Sequence, residues 1–251
     1  SHDFQQGSFL GPAYPETEIE NFLNQNNIEY IKLKPGEAAG KIAGLIKSEK
    51  VIGLFHGRME YGPRALGHRS IIGDARSQKM QKVMNLKIKF RESFRPFAPS
   101  LLDEETGSYF DFNHRSPYML LVYDVLEDKR LEAAAELNRT KGLKKLDIAR
   151  SVIPAVTHVD FSARVHTVNK DVNPFFYAII DEFYKQTGCP VVINTSFNVR
   201  GEPIVNSPAD ALKVFQNTDM DYLLLETFLI EKKDGDRKKI DHDWVKTFPL
   251  D

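Results

Sequence analysis

Apolar positions along the chain recur with two different periods. At spacings of three and four, Ile19, Phe22 and Leu23 follow Pro15, and Ala39, Ile42, Ala43 and Ile46 follow Gly36, which predicts two amphipathic helices. Met80, Val83, Met84 and Ile88 predict a third. Phe175, Phe176, Ile179, Ile180, Phe183 and Tyr184 predict a fourth that Gly188 stops, and a fifth starts near Ser207-Pro208. The stripe from Phe175 to Tyr184 reads as core packing. Short apolar runs at 51–55, 97–102, 118–123, 152–159, 164–168, 191–193 and 222–230 predict strands, the last of them one long strand. Helices and strands interleave without a regular repeat. The expected fold class is therefore α/β (α+β), with a mixed, twisted β-sheet packed by helices.

Polar stretches divide the rest. Residues 1–14 read as a linker arriving from something upstream, and residues 15–230 as the domain itself. Within it, 127–145 is charged, Ala-rich and holds Gly142, which predicts a solvent-facing helical insertion. The KKDGDRKK run opens a charged tail, 231–251, expected to fray. With 251 residues, 41% of them hydrophobic, the chain is long enough to bury a sizeable core. No apolar run approaches the roughly 20 residues that span a bilayer and no signal pattern opens the chain, so no membrane association and a cytoplasmic location are expected. One cysteine, Cys189, lies between Gly188 and Pro190 beside an apolar strand and reads as structural.

Charge changes the picture at one place. From Gly57 to Pro99 the chain carries ten Lys or Arg against three acids, a net +7 in a chain whose formal total is −1, so the remainder sums to −8. A local excess on an otherwise acidic chain points to a focused anion site, and the near-neutral total argues against a general nucleic-acid coat. Inside it, Gly62-Pro63-Arg64-Ala65-Leu66-Gly67-His68-Arg69-Ser70 has the glycine spacing of a phosphate-binding P-loop. His68 stands where that motif needs lysine, and Pro63 removes a backbone donor. Recognition by guanidinium forks from Arg58, Arg64 and Arg69 is the better expectation. Lys89-x-Arg91 with Arg95 forms a second cationic cluster, for which surface pairing of Arg91 and Arg95 with Glu92, Asp103 or Glu104 is the plainer reading. Asn194-Thr195-Ser196-Phe197-Asn198 follows a strand, where α/β sheets commonly open a ligand crevice, although such residues are also ordinary turn formers. His158-x-Asp160 reads as a turn hydrogen bond in the absence of a third ligand, and no metal site is expected. The sequence contains no G-x-S-x-G, H-E-x-x-H or C-x-x-C motif, so any chemistry should work by positioning and charge.

Four segments, GRMEYGPRALGHRSI, LKIKFRESFRPFAPS, PAVTHVDFSARVHTV and NTSFNVRGEPIV, in that order resemble the C-terminal domain of the O-carbamoyltransferases that act on antibiotics and nodulation factors. The second half is also similar to the wider YrdC-like superfamily, whose K-x-R motif matches Lys89 and Arg91 and whose S-x-N motif matches Ser196 and Asn198. The resemblance implies a YrdC-like fold and binding of ATP with Mg2+ and of carbamoyl phosphate. It also implies formation of carbamoyl-adenylate, with an N-terminal Kae1-like domain passing the carbamoyl group to a small-molecule hydroxyl acceptor. On that basis Arg64, Arg91 and Arg164 are the expected catalytic residues. Arg58, Glu60, Arg69, Lys89, Arg95, Asn194, Ser196 and Asn198 are the expected binders of substrate and nucleotide. His68 departs from the asparagine that the family often carries there.

Two other readings of the same residues stand beside this one. A non-catalytic RNA- or nucleotide-binding module would stack bases on Phe90, Phe94 or Phe97 and bind with strong salt dependence. A docking domain would bind neither ATP nor RNA.

Overall fold

The apolar runs pair edge to edge. The computed structural model describes residues 4–34, 36–131, 139–237 and 244. Its strands are β1 (Ile31–Lys32), β2 (Ile52–Phe55), β3 (Arg69–Asp74), β4 (Ala98–Leu102), β5 (Leu121–Asp124), β6 (Ser162–Val168), β7 (Val191–Ser196), β8 (Tyr222–Leu225) and β9 (Phe228–Glu231). They form one sheet in the order β1-β9-β8-β2-β3-β7-β4-β6-β5. The β2/β8 and β4/β6 pairs are parallel and all other neighbours antiparallel, so the sheet is mixed, as the apolar pattern predicts. β2, β3 and β4 are buried along their whole length, and this is where the core sits.

Five longer helices cover the sheet: α1 (Glu16–Gln25), α2 (Glu37–Lys47), α3 (Met80–Lys87), α4 (Pro174–Thr187) and α5 (Pro208–Gln216). Their ends follow local chemistry. Ser207 and Asp210 close a reciprocal capping box on α5, and Asn173 accepts the Phe176 amide at the start of α4. Gly188 ends α4 in the left-handed region with φ 73°. Each such cap stabilises its helix by about 1 kcal/mol.

Four expectations need correction. The run at 222–230 is not one strand but the β8–β9 hairpin, because Glu226 turns the chain at φ 52°. Residues 152–159 form no ladder; Pro154, which has no amide donor, opens a single 3-10 turn there (Pro154–Val156). β3 was not expected at all, since its apolar part is only Ile71-Ile72. Residues 5–12 are not a free linker. Tyr61 N donates to Ser8 O at 2.7 Å, Gly11 N to Met59 O and Met59 N to Pro12 O at 2.9 Å each, so this strap is laced to the basic loop.

Of the expected insertion, residues 132–138 lie outside the described residues, and Glu127–Lys129 and Gly142–Asp147 are short 3-10 turns. The tail begins packed: buried Lys232 donates to the carbonyls of Phe215, Gln216 and Thr218, closing the C-terminal end of α5. Past Arg237 only Trp244 is described. Among the described residues no helix is long and apolar enough to cross a membrane.

Candidate functional site

β3 and β4 begin, β6 begins and β7 ends at one edge of the sheet centre, and that edge gathers most of the residues singled out in the sequence. The loop from Gly57 to His68 crosses it. Its backbone is held by side chains. Glu60 Oε1 accepts the amides of Leu66 (2.7 Å), His68 (2.8 Å) and Arg69 (3.1 Å), and Ser70 Oγ accepts that of Gly67. Asn194 Nδ2 donates to Ala65 O at 2.9 Å and Asn173 Nδ2 to Leu66 O at 3.0 Å. Gly67 sits at φ 107°, and a Cβ there would meet the Phe176 ring at 2.4 Å. The chain then enters a strand, not a helix, so the loop lacks the helix N-terminus on which a P-loop depends.

Three of the expected ligand contacts in this loop have protein partners, Arg69 through both terminal nitrogens of its guanidinium and Arg58 and Glu60 through one atom each. Arg69 is fully buried, donates to the carbonyls of His56, Gly57, His68 and Pro12, and lies 3.5 Å over the Phe55 ring. Burial lowers its guanidinium to about 10, which still leaves it charged at neutral pH. Arg58 Nη2 donates to Leu10 O of the strap at 2.8 Å. Glu60 is 4% exposed, and the oxygen that meets the loop amides is already occupied. Arginines in a glycine-rich loop lie close to bare carbonyls, and no sequence signal marks those carbonyls as the acceptors.

Arg64 is different. It forms no ion pair among the described residues, and its buried Nε has no hydrogen-bond partner. The same holds for Arg164 on β6, whose Nη2 meets only Met119 Sδ at 4.0 Å. Burial lowers the Arg164 guanidinium, and the Arg64 charge lowers it further. The two are linked through their neighbours: Leu66, two residues from Arg64, packs in one cluster with Met119, which Arg164 meets. Leu66, Ala98 and Met119, with Phe9 and Tyr118, make a small apolar cluster beside them.

The second cluster closes on the Asn/Ser turn. Lys89, 3% exposed, donates through Nζ to Ser196 O (2.7 Å) and Oγ (3.3 Å) and to Asn198 O (2.9 Å) and Oδ1 (2.7 Å). Burial pushes its amine well below the usual lysine range, with the Arg91 charge adding to the shift. Ser196 Oγ also donates to Asn198 Oδ1 at 2.7 Å. Phe90, between Lys89 and Arg91, holds the left-handed φ of 47°, a strained conformation of the sort that gathers at functional sites. Arg91 Nε donates to Asn85 Oδ1 at 2.7 Å, its guanidinium lies 5.0 Å from the Phe97 ring centre, and it makes no ion pair among the described residues. Burial and the Arg95 charge lower it to about 10. Arg95 takes the plainer role: it pairs with Glu92 at 3.0 Å on the surface.

Asn194 is 1% exposed and belongs to a buried chain of hydrogen bonds instead of an open crevice. Its Nδ2 donates to Ser100 Oγ at 2.9 Å as well as to Ala65 O, and Ser100 Oγ lies 2.7 Å from His166 Nδ1. A carbonyl can only accept, so the amide nitrogen must face Ala65. The Ser100 hydroxyl is then free to donate a hydrogen bond to His166 Nδ1, the arrangement of a neutral Nε2–H imidazole. Burial lowers that imidazole to about 3. Asp160 accepts from the amide and hydroxyl of Ser162, the turn bonding expected for it.

Sequence reasoning missed Asn173, Ser100, His166 and Arg200. Asn173 was detectable as the cap residue before Pro174. Arg200 follows the Asn/Ser turn, its Nη1 3.5 Å from Glu92 Oε1. The base-stacking reading loses its platform: Phe97 is 2% exposed, Phe90 packs partly buried against the core, and Phe94 stands alone at 46%.

The family model described as Carbamoyltransferase C-terminus matches residues 43–232. An uncharacterized protein of Synechocystis sp., sll1178, is 49% identical over 251 residues, covering 99% of this chain and 41% of that protein. Nodulation protein NolNO of Sinorhizobium fredii is 40% identical over 200 residues, 78% of this chain and 26% of the relative. The 3'-hydroxymethylcephem-O-carbamoyltransferase of Amycolatopsis lactamdurans is 34% identical over 170 residues, 68% of this chain and 28% of the enzyme. The chain thus spans well under half the length of these relatives.

Proposed function

The chain belongs to the family of carbamoyltransferase C-terminal domains, and on that premise we propose that it is the activating part of an O-carbamoyltransferase, binding carbamoyl phosphate and ATP to form carbamoyl-adenylate. The observation that carries this reading is that Arg64 and Arg164, two half-buried guanidiniums beside the small cluster of Leu66 and Met119, each keep a buried Nε without a partner and form no ion pair among the described residues. An anion is the ligand such a pair lacks. Lys89, Ser196 and Asn198, which border the same end of the sheet, form a rigid floor beside it, and Arg91 adds a cation for the nucleotide phosphates.

In the proposed sequence water first cleaves the carbamoyl–phosphate bond, so that inorganic phosphate leaves and carbamate remains, and a carbamate oxygen then attacks the α-phosphorus of ATP. The bond to the bridging oxygen breaks, and pyrophosphate leaves with the electron pair. Such displacement needs little covalent help from the protein; it needs positive charge where negative charge develops and reactants held in line. Arg64 and Arg164 would hold the carbamoyl donor and Arg91 the phosphates. Among the described residues no group of three His, Cys, Asp or Glu side chains is placed to hold a metal. A Mg2+ ion would arrive on the nucleotide's own phosphates, its usual ligands. Transfer to a hydroxyl acceptor would fall to a Kae1-like domain elsewhere in the full-length protein.

Calorimetry tests the binding step. The chain should bind carbamoyl phosphate, and Arg64→Ala should weaken it by about 1.5–3 kcal/mol, the value of a charged hydrogen bond. Failure of the unaltered chain to bind carbamoyl phosphate would sink the proposal. Pyrophosphate release from ATP, with carbamoyl phosphate and Mg2+ present, tests the chemistry separately.

A further inference from the structure

Arg64 has a buried Nε without a partner and forms no ion pair among the described residues, so its position depends on how its loop is held. Two buried asparagines hold that loop from opposite sides. Asn194, on β7, ties down Ala65 O, the carbonyl next to Arg64; Asn173, ahead of α4, ties down Leu66 O. They are 1% and 4% exposed, and the amide nitrogen of each is committed to the loop, while Asn194 Oδ1 is buried with no hydrogen-bond partner, which makes its own contact with an anion the rival role to be tested. Both are anchored in turn. Asn194 is fixed by Ser100 and through it by His166, and Asn173 by the Phe176 amide that it caps. The loop amides are taken up independently by Glu60 and Ser70.

We propose that Asn194 and Asn173 are positioning residues of the anion site: they aim Arg64 by gripping successive carbonyls of its loop, and they act on the bound anion only through Arg64. This assignment rests on the anion-site reading above. It differs from a ligand-contacting role for Asn194, which the strand-end location alone suggests.

The two roles separate in a double-mutant cycle. Asn173→Ser keeps an oxygen to cap α4, and so the helix, but is too short to reach Leu66 O. Asn194→Ala removes the other grip. Amide hydrogen exchange on the whole chain should show protection at Leu66, Gly67 and His68 falling by about tenfold or more in each variant, with the flanking strands unchanged. Carbamoyl phosphate binding should weaken by about tenfold in each, and neither substitution should weaken it further once Arg64→Ala is present. Losses that add to that of Arg64→Ala would mean the asparagines touch the anion themselves, and would overturn the proposal. So would unchanged exchange, or undiminished binding by a released loop. If the unaltered chain binds no carbamoyl phosphate, the proposed function falls while the exchange measurements still decide whether the asparagines hold the loop.

Discussion

The loop at 57–70 and the arm at 89–95 carry the same kind of sequence, arginines set among Gly, Pro and Phe, yet they use their charge differently. In the loop, the cations answer to backbone: Arg69 to four carbonyls and Arg58 to one. In the arm they answer to side chains and a neighbouring turn: Lys89 to Ser196 and Asn198, Arg95 to Glu92. Each region also leaves one arginine least engaged: among the described residues Arg64 in the loop donates to no protein oxygen, and Arg91 in the arm donates only to Asn85. A basic run thus indicates how much positive charge is available, while the acceptors that fold around it decide how much remains for a ligand.

Removing the most committed cation should have the largest effect. Arg69→Met removes a donor from four carbonyls, of which those of Pro12 and His68 keep a backbone amide, and loosens the packing over Phe55, so urea unfolding should show a loss of about 3 kcal/mol, whereas Arg64→Met should change stability by no more than about 0.5 kcal/mol. Equal losses would erase the contrast within the loop.

Acid comes next. His166 stays neutral in the folded protein down to about 3, whereas the unfolded chain takes up a proton near 6.5. Below pH 6.5 the unfolded state therefore binds more protons. The stability contributed by neutral burial is complete above that pH and is lost steadily as the pH falls towards about 3. The slope is at most about 1.4 kcal/mol per pH unit, or about 2 kcal/mol by pH 5. Unfolding curves between pH 7 and 4 should show this limb, and His166→Gln should flatten it. An unchanged slope would place the acid sensitivity elsewhere.

The two regions should also differ in which ligand they serve. Arg91→Ala should cost about 1.5–3 kcal/mol in ATP binding and leave carbamoyl phosphate largely unaffected, the reverse of Arg64→Ala. Calorimetry with each ligand sharpens the comparison, and identical profiles would collapse the two regions into one site. The smallest effect belongs to Arg95→Ala: its pair with Glu92 is at the surface, so less than about 1 kcal/mol should change in either stability or binding.

Much of the fold was legible because its signals are local. Pro15, Gly36, Gly188 and Ser207-Pro208 each mark a helix end by backbone chemistry that needs no tertiary partner, and α1, α2, α4 and α5 begin or end beside them. β3 and the β8–β9 hairpin were not legible. Two isoleucines are too short a run to mark a strand, and Glu226 is not a residue that advertises a left-handed turn. The strap at 5–12 reads as a linker because its bonds are made by backbone, which is the same whatever the side chains.

The basic stretch shows the same division. The sequence by itself determined the charge excess, the Lys89-x-Arg91 and Ser196-x-Asn198 spacings and the family to which they belong, because composition and spacing are properties of the chain alone. Only the tertiary structure decided that Lys89 would be clasped by a turn more than 100 residues away, that Arg69 would be buried and that Arg64 and Arg164 would each keep a buried Nε without a partner. The physical reason is that a guanidinium or ammonium group binds whichever oxygen folding brings within about 3 Å, and that distance is set by strand register, which no local pattern encodes.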